Sequence, residues 1–570
     1  ALLACAAELA RAGVQSVAIV LLHAYANPVH EQEAGRLIAE HFPDLFVSLS
    51  SEVSPQIREF ERSSTTVANA FIKPLASSYL DLMQREIAAL GVRAPLFMML
   101  SNGGLTHIDE AKRVPIQLLE SGPAAGALAG GFFAARSDVA DVLAFDMGGT
   151  TAKLAMVEAG QPLIAYQFEA SREKRFIEGS GLPINISTIE LIEIGAGGGS
   201  IAAPDPLGLL RVGPRSAGAV PGPACYARGG EEPTVTDADL IRGYLSPERF
   251  LGGRMRLDRE RARAAVSRLG EKLGLGLAET AAGIASVVDN NMATAARVHI
   301  AEAGTDPNRY RMVAFGGAGP AHAYSIARLL NLDEVIFPLG AGVASAIGML
   351  VAPRSVEYAR SLIAALDTLD WTLVEEIVAS LDARARAVLR DGGIADGDIT
   401  RELSADMRYA GQGFEVNVPL DEKALQRHDA VALQHAFDAR YEERFGRNLG
   451  AVPIEVVSWR VRLVAPASVS EIRFPEHSRD ATSGEAFIEH RSAFFTELHG
   501  FVETPVYARD RLEPGRKIAG PALIEEAEST CVVGPMAHVE VDAFGNLIMR
   551  LETASLNTKA KTALEENQKR

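Results

Sequence analysis

A chain of 570 residues with 48% hydrophobic and 23% charged residues is too apolar for disorder and too long for one ordinary core, so about three domains are expected. Its formal charge of −17 argues against a nucleic-acid partner, which needs clustered basic residues to displace counterions. Cys5, Cys225 and Cys531 are widely separated and odd in number, so neither a disulfide framework nor a metal knuckle follows, and a reducing, cytoplasmic setting is favoured.

The first 48 residues alternate helix and strand: a helix to about Ala12, a strand over Ser16–His23, a helix around "HEQEAGRLIAEHF", then "LFVSLS". No positively charged leader precedes the first apolar stretch, and the start reads as if it entered inside a domain. Residues 55–91 form a long helical tract, "APLFMMLSNGG" runs from strand to glycine turn, and "SGPAAGALAGGFFAA" is a small-residue helix opened by Ser121 and Pro123. A hairpin over 142–157 opens a second α/β lobe reaching about 355; within it 160–235 is rich in glycine and proline. Helices follow at about 258–274 and 279–303, then the strand "RMVAFGG" and a further helix. The uncharged run Val335–Pro353 contains Pro338 and glycines 340, 342 and 348, which suits strand–turn–helix and not a membrane span. After a helix over 368–391, period-2 alternation marks a mostly β C-terminal domain to about 550, ahead of a polar tail, 551–570. The expected domains are therefore 1–140, 141–355 and 356–550.

The hairpin carries the sharpest chemistry. In "AFDMGGTTAKLAMV", residues 144–157, Gly148 and Gly149 permit positive φ and leave room for a ligand, while their N–H groups with the Thr150 and Thr151 hydroxyls could cradle a phosphate. Asp146 beside that nest would repel a bare phosphate but suits a metal-bound one or a catalytic water; a plain tight hairpin is the alternative. Downstream, Gly316, Gly317 and Gly319 form a turn at a helix N-terminus, where a sugar, base or phosphate can approach the backbone. The run "GAGGGS", 195–200, suggests either a backbone-lined anion or amide site or a flexible loop. Asp237 in "TVTDADL" reads equally as a metal ligand or an N-cap. Glu59 and Arg62 could line a cleft or pair on a helix surface. His322 reads as a packing residue, and Cys225 lacks an evident base partner.

An Asp-x-Gly-Gly-Thr hairpin followed about 170 residues later by a Gly-Gly turn resembles the ATP-binding superfamily of actin, hexokinase and the heat-shock chaperones. More specifically, the chain resembles the hydantoinase A/5-oxoprolinase family, which includes N-methylhydantoinase A and acetone and acetophenone carboxylase subunits. The resemblance rests on "SEVSPQIREFERSSTTVANAFIKP" (51–74), "LSNGG" (100–104), "ESGPAAGA" (120–127), "DMGGTTAK" (146–153), "EIGAGGGSIA" (193–202), "AGAVPGPACYARGG" (217–230), "TVTDADL" (234–240), "AFGGAGPAHA" (314–323) and "GPALIEEAESTCVVGP" (520–535).

That resemblance implies a two-lobed, ribonuclease-H-like ATPase core with a β-rich C-terminal domain. It also implies a further Asp-x-Gly-Gly-Thr hairpin ahead of Ala1, so the first lobe is expected to lack its start and this chain alone to turn over poorly. The implied activity is ATP-dependent opening of a cyclic amide of the 5-oxoproline or hydantoin type. Alternatives are a subunit of an ATP-dependent ketone carboxylase and a nucleotide-switched binding protein. ATP and Mg²⁺ or another divalent metal are the implied cofactors, and the implied partners are a B-type hydantoinase subunit and further copies in an oligomer. The expected catalytic residues are Asp146, Thr150 and Lys153. Nucleotide would lie on Gly148, Gly149, Thr150, Thr151, Gly316, Gly317 and Gly319, and substrate on Gly197, Gly198, Gly199, Ser121 and Gly122. Metal would lie on Asp146 and Asp237.

Overall fold

The computed structural model describes residues 1–170, 179–450, 452–467, 469, 472 and 485–552; the expected polar tail lies beyond them from 553 onward. The chain is α/β with mixed sheets. It divides into two compact units, one of residues 1–124, 164–189 and 352–470, the other of 125–163, 190–351 and 471–570. The chain crosses between the units at 124/125, 163/164, 189/190, 351/352 and 470/471, so the span 356–550 is shared between them.

In the first unit a parallel pair, Ser16–Ile19 with Phe46–Leu49, supports the long helix Glu59–Ala89. A separate six-stranded sheet runs in the order Val416–Leu420, Thr400–Tyr409, Ile454–Ala465, Arg354–Ala365, Leu105–His107, Phe97–Met99. Its long central strands bury Trp459, Tyr409 and Met407 against the Trp371–Asp391 and Ala430–Phe445 helices. The expected β-rich C-terminal region therefore contains helices of its own.

In the second unit the main sheet has nine strands, eight in the order Leu191–Ile194, Ala152–Glu158, Val142–Met147, Arg311–Phe315, Glu334–Phe337, Leu547–Leu551, Ala537–Val541, Lys517–Ala519. The three strands Val142–Met147, Arg311–Phe315 and Glu334–Phe337 are parallel neighbours, and they read as nearly continuous apolar runs because both their faces are covered. Leu143, Phe145 and Met147 share one core with the helices Arg259–Leu273, Leu277–Glu302 and Gly319–Leu330. The opposite face meets the small-residue helix Ser121–Arg136. A Cβ added at Gly130 would lie 2.6 Å from that of Ala144, and one at Gly126 would lie 3.1 Å from the Phe315 ring. Glycine at i and i+4 is what lets this helix approach the strands so closely.

The run from Val335 folds as the strand Glu334–Phe337, a short turn and the helix Ala344–Val351. Among the described residues no helix is long and apolar enough to cross a membrane.

Candidate functional site

The expected hairpin forms as two antiparallel strands, Val142–Met147 and Ala152–Glu158, with Asp146 opposite Lys153. Gly149 and Thr150 at its tip are exposed, and the turn closes through Gly148 N–H donating to the Thr151 carbonyl at 3.1 Å. Two other glycine segments converge on this turn. The Gly198 and Gly199 amides donate to the Gly148 and Gly149 carbonyls at 3.0 and 2.6 Å, and the Ala318 amide donates to Met147 O at 2.9 Å. The hairpin's inner carbonyls are therefore spoken for, and its tip faces outward on a rigid footing.

This contact redefines the glycine run. Gly197 N–H donates to Ser200 Oγ at 2.8 Å, so the amides of Gly197, Gly198 and Gly199 are all spent within the protein and do not form an anion nest. Their glycine identity serves close approach: a Cβ at Gly197 would lie 2.8 Å from Gly148 O, Gly149 C and Thr150 C. Thr236 secures the run from behind, its N–H and hydroxyl donating to Gly198 O at 2.7 and 2.8 Å.

Asp146 is half-buried and accepts a hydrogen bond from Ser345 Oγ at 3.2 Å, a partner that nothing in the local sequence announces. Burial raises its carboxyl above the usual range, opposed by the Ser345 hydrogen bond and the Lys153 charge. Lys153 stands in register between Asp146 on one strand and Glu193 on the other, with its Nζ 3.7 Å from the Glu193 carboxylate. Residues directly opposed in antiparallel strands share a face, so the ammonium sits in a row of carboxylates.

The second glycine turn is adjacent. Gly316 has φ +84° and a Cβ there would lie 2.5 Å from Met147 O, so this position needs glycine for its backbone. Gly317 has no positive φ, and a Cβ there would meet only Glu528 O, at 3.7 Å; its smallness is not required by packing. Gly317 opens onto a cavity of about 900 Å³ walled by Leu245, Ser246 and residues 249–253, 508–511 and 525–530, within the range of small-molecule sites. Its wall is braced by Arg249, which pairs with Glu489 and Glu525 at 2.6 Å each, and by Glu526, which accepts the Gly340 and Ala341 amides. The segment 520–535 was legible only as a family motif; it folds as the antiparallel strands Ala522–Glu525 and Thr530–Val533, whose turn forms part of the cavity wall.

The other candidates resolve into structure. Asp237, fully buried, accepts from the Ala224, Cys225 and Thr234 amides and the Thr234 hydroxyl at 2.8–3.2 Å. It caps the Val235–Ile241 helix, which favours the cap over the metal ligand. Cys225 is buried and its thiol is pushed upward by burial and by Asp237, so it is no nucleophile. Arg62 is fully buried, not at a surface, and donates to Leu21 O and Ser50 Oγ and pairs with Glu59. Ser121 and Gly122 open the Ser121–Arg136 helix but belong to the other unit. His322 is buried between Asp289, 2.7 Å from Nδ1, and Asp239, 3.1 Å from Nε2. Burial alone would lower it, but the two carboxylates push it up to about 10.

The glycine turns and the cavity beside them thus lie together on a mixed α/β sheet. The chain belongs to the hydantoinase/oxoprolinase family: that family's sequence model matches residues 62–358, its C-terminal-domain model 368–552 and its N-terminal-region model 1–42. An uncharacterised protein of Methanocaldococcus jannaschii is 37% identical over 93% of this chain and 76% of its own length. The caprolactamase subunit alpha of Pseudomonas jessenii is 34% identical over 93% and 75%, and the acetophenone carboxylase gamma subunit of Aromatoleum aromaticum 30% over 97% and 76%. The crystal structure of the ATP-dependent caprolactamase from Pseudomonas jessenii superposes with a TM-score of 0.78 at 32% identity, covering 96% of this chain and 79% of that one.

Proposed function

We propose that this chain is the ATP-using component of an enzyme that opens a cyclic amide, built on an actin/hexokinase-like core. The observation that carries the reading is the convergence of two glycine segments on the glycine turn of the Asp146 hairpin, beside the cavity at Gly317. An amide carbonyl is a poor electrophile because nitrogen donates into it. Transfer of the γ-phosphoryl to the amide oxygen breaks the bond to ADP and forms a P–O bond, leaving an imidate whose carbon accepts water. The C–N bond then breaks as nitrogen takes a proton, leaving an acyl phosphate that a second water cleaves to carboxylate and phosphate. The net change is lactam, two waters and ATP to amino acid, ADP and phosphate.

The protein's share is positioning and charge. The exposed tip at Gly149 and Thr150 meets the phosphates, the Thr150 and Thr151 hydroxyls donate to them, and Lys153 offsets charge that develops during transfer. The cavity beyond Gly317 takes the nucleoside, where an unbranched backbone lets it come close. Among the described residues no group of three or more His, Cys, Asp or Glu is placed to hold a metal. A single carboxylate with one hydroxyl neighbour suits a divalent cation that arrives with the nucleotide and keeps most of its water. Asp146 would hold that cation, which supplies further neutralisation of the phosphates.

A second reading, a subunit of a ketone carboxylase, is favoured by the likeness to the acetophenone carboxylase gamma subunit. The names of both characterised relatives mark them as subunits, so the assay includes a partner chain. Phosphate release is measured over 5-oxoproline, hydantoins, a medium-ring lactam, and ketones with and without bicarbonate. Release with a cyclic amide and without bicarbonate supports the first reading, and release only with ketone and bicarbonate replaces it by the second. ATP binding with no substrate-dependent release would leave a nucleotide-switched binding protein.

A further inference from the structure

The six-stranded sheet of the first unit buries most of both its faces. One face is apolar: Val356, Leu403, Val418 and Val461 pack against the helices Trp371–Asp391 and Ala430–Phe445. Alternation puts polar side chains on the other, where Glu357, Arg462 and Glu402 stand directly opposite one another across three neighbouring strands. Antiparallel strands commonly give such a face to water. Here Ser361, Arg460 and Asp406 on it are buried, because the segment 164–189 covers part of it. The Tyr166 ring lies 4.3 Å from the Arg460 guanidinium, and Ser187 Oγ donates to Glu357. The cover leaves a cavity of about 230 Å³ lined by Asn102, Tyr166, Glu357, Glu402, Asn417 and Arg462 among others. That is room for about seven waters at ~30 Å³ each, or for one small organic molecule. All of its wall belongs to the first unit, whereas the Asp146 hairpin belongs to the second.

The wall has hydrogen-bonding capacity left over. Arg460 is spent on Asp406, at 2.8 and 2.9 Å, and reaches Glu357 Oε1 at 3.4 Å. Glu357 Oε2 and the Tyr166 hydroxyl have no hydrogen-bond partner among the described residues. Asn417 donates through Nδ2 to Ser404 Oγ and Asp406, which leaves its carbonyl oxygen. Asn102 gives Oδ1 to the Gly104 amide at 3.0 Å, so the 100–104 motif, which the phosphate site does not use, leaves its Nδ2. Arg462 Nη1 donates to Glu402 at 2.9 Å, and Nε and Nη2 have no described partner. The face therefore offers an anionic acceptor and a cationic donor on adjacent strands, about 4.8 Å apart. Its three carboxylates, Glu357, Glu402 and Asp406, outnumber its two guanidiniums.

We infer that this cavity binds a small amino acid as its zwitterion. Glu357 Oε2 and the Asn417 oxygen take the ammonium, which the surplus carboxylate favours, and Arg462 with Asn102 Nδ2 takes the carboxylate. A neutral amide or alcohol would leave Glu357 facing no cation, and hydrogen bonds between charged groups are roughly twice as strong as neutral ones. Opening a lactam makes an amino acid, so the ligand has the chemistry of the product; that identification rests on the function proposed above, while the binding does not.

The test is calorimetry on the full chain without nucleotide, in wild type, Glu357→Gln and Arg462→Gln, with thermal melting alongside. The probes are glutamate and 6-aminohexanoate, with pentylamine and glutarate supplying the ammonium or the carboxylates alone. The expected result is saturable binding of one or both amino acids at roughly millimolar or tighter. Each variant should weaken it at least about tenfold, the loss of one hydrogen bond between charged groups. Pentylamine should respond to Glu357→Gln alone and glutarate to Arg462→Gln alone. Arg462 is partly exposed, so its variant keeps the test decisive if Glu357→Gln unfolds. No saturable binding on the order of 10 mM, or binding that both folded variants retain, overturns the proposal. Binding lost as expected, in a protein that releases phosphate with no cyclic amide, upholds the site and refutes the product assignment alone.

Discussion

Gly197→Ala separates the role seen in the fold from a ligand-binding one. The added methyl would sit 2.8 Å from three backbone atoms of the hairpin turn, Gly148 O, Gly149 C and Thr150 C, whereas an ordinary contact begins near 3.4 Å. Backbone cannot rotate out of the way as a side chain does, so the hairpin tip must move by about 0.6 Å or the 195–199 segment must retreat by as much. Overpacking of this kind costs about 1–3 kcal/mol, and a displacement approaching 1 Å at a reacting group costs up to ~100-fold in rate. We expect ATP turnover with substrate and partner to fall about 10- to 100-fold, nucleotide affinity to fall less, and melting to drop by several degrees. Gly149→Ala is the matched control, because a Cβ there has nothing within 4 Å: its melting should be unchanged while phosphate binding weakens. Calorimetry, phosphate release and thermal melting on the two variants read all three quantities. Wild-type turnover in a folded Gly197→Ala protein would refute the bracing role, and reduced turnover at unchanged melting and affinity would return Gly197 to the substrate site.

Asp146→Asn keeps shape and the Ser345 contact but removes the charge; phosphate release should fall at least ~100-fold, with melting unchanged or raised because burial already disfavours the carboxylate. Gly317→Val should fold normally, since a Cβ there meets only Glu528 O at 3.7 Å, yet lose at least ~10-fold in ATP affinity, about 1.4 kcal/mol; calorimetry at wild-type affinity would make the cavity irrelevant to the nucleotide. His322 is raised to about 10 from an ordinary value near 6.5, so its contribution to stability is complete below about pH 6.5 and is lost as pH rises through about 10. Wild type should therefore lose stability across that window by at most about 1.4 kcal/mol per pH unit relative to His322→Gln, followed by denaturant unfolding; parallel pH profiles would show that the imidazole is neutral between Asp239 and Asp289.

The hairpin was legible because its information is local. Two apolar strands around Gly148, Gly149, Thr150 and Thr151 allow hardly anything else, and the same holds for the strand–glycine–helix unit at 311–330. The glycine run at 195–200 was legible as unusual but not as to purpose, since the same absence of Cβ serves a ligand or another backbone, and only the partner at 148–150 decides. Ser345 and the cavity wall at 525–530 were not legible as site residues. Ser345 is carried to Asp146 by the helix Ala344–Val351, and the wall at 525–530 is the turn between the strands Ala522–Glu525 and Thr530–Val533, both far in sequence from the residues they meet. Arg62 looked like a surface cation because its helix is polar on the side that turned out to be buried. The division into units escaped for a related reason: composition changes near 355, but the C-terminal strands pair on both sides of that change.

The strand Leu547–Leu551 pairs with Glu334–Phe337, with Phe337 opposite Leu547. On a ribosome adding roughly 5–20 residues per second, about 210 residues separate the two, so the apolar edge of Glu334–Phe337 waits for roughly 10–40 s before its neighbour is made. Unpaired edges of that composition are where nascent chains associate wrongly. A chain truncated before Leu547 would therefore hold the whole phosphate hairpin yet be bound for inclusion bodies, and expression should improve at low temperature or with trigger-type chaperones that shield an edge until the strand Leu547–Leu551 arrives.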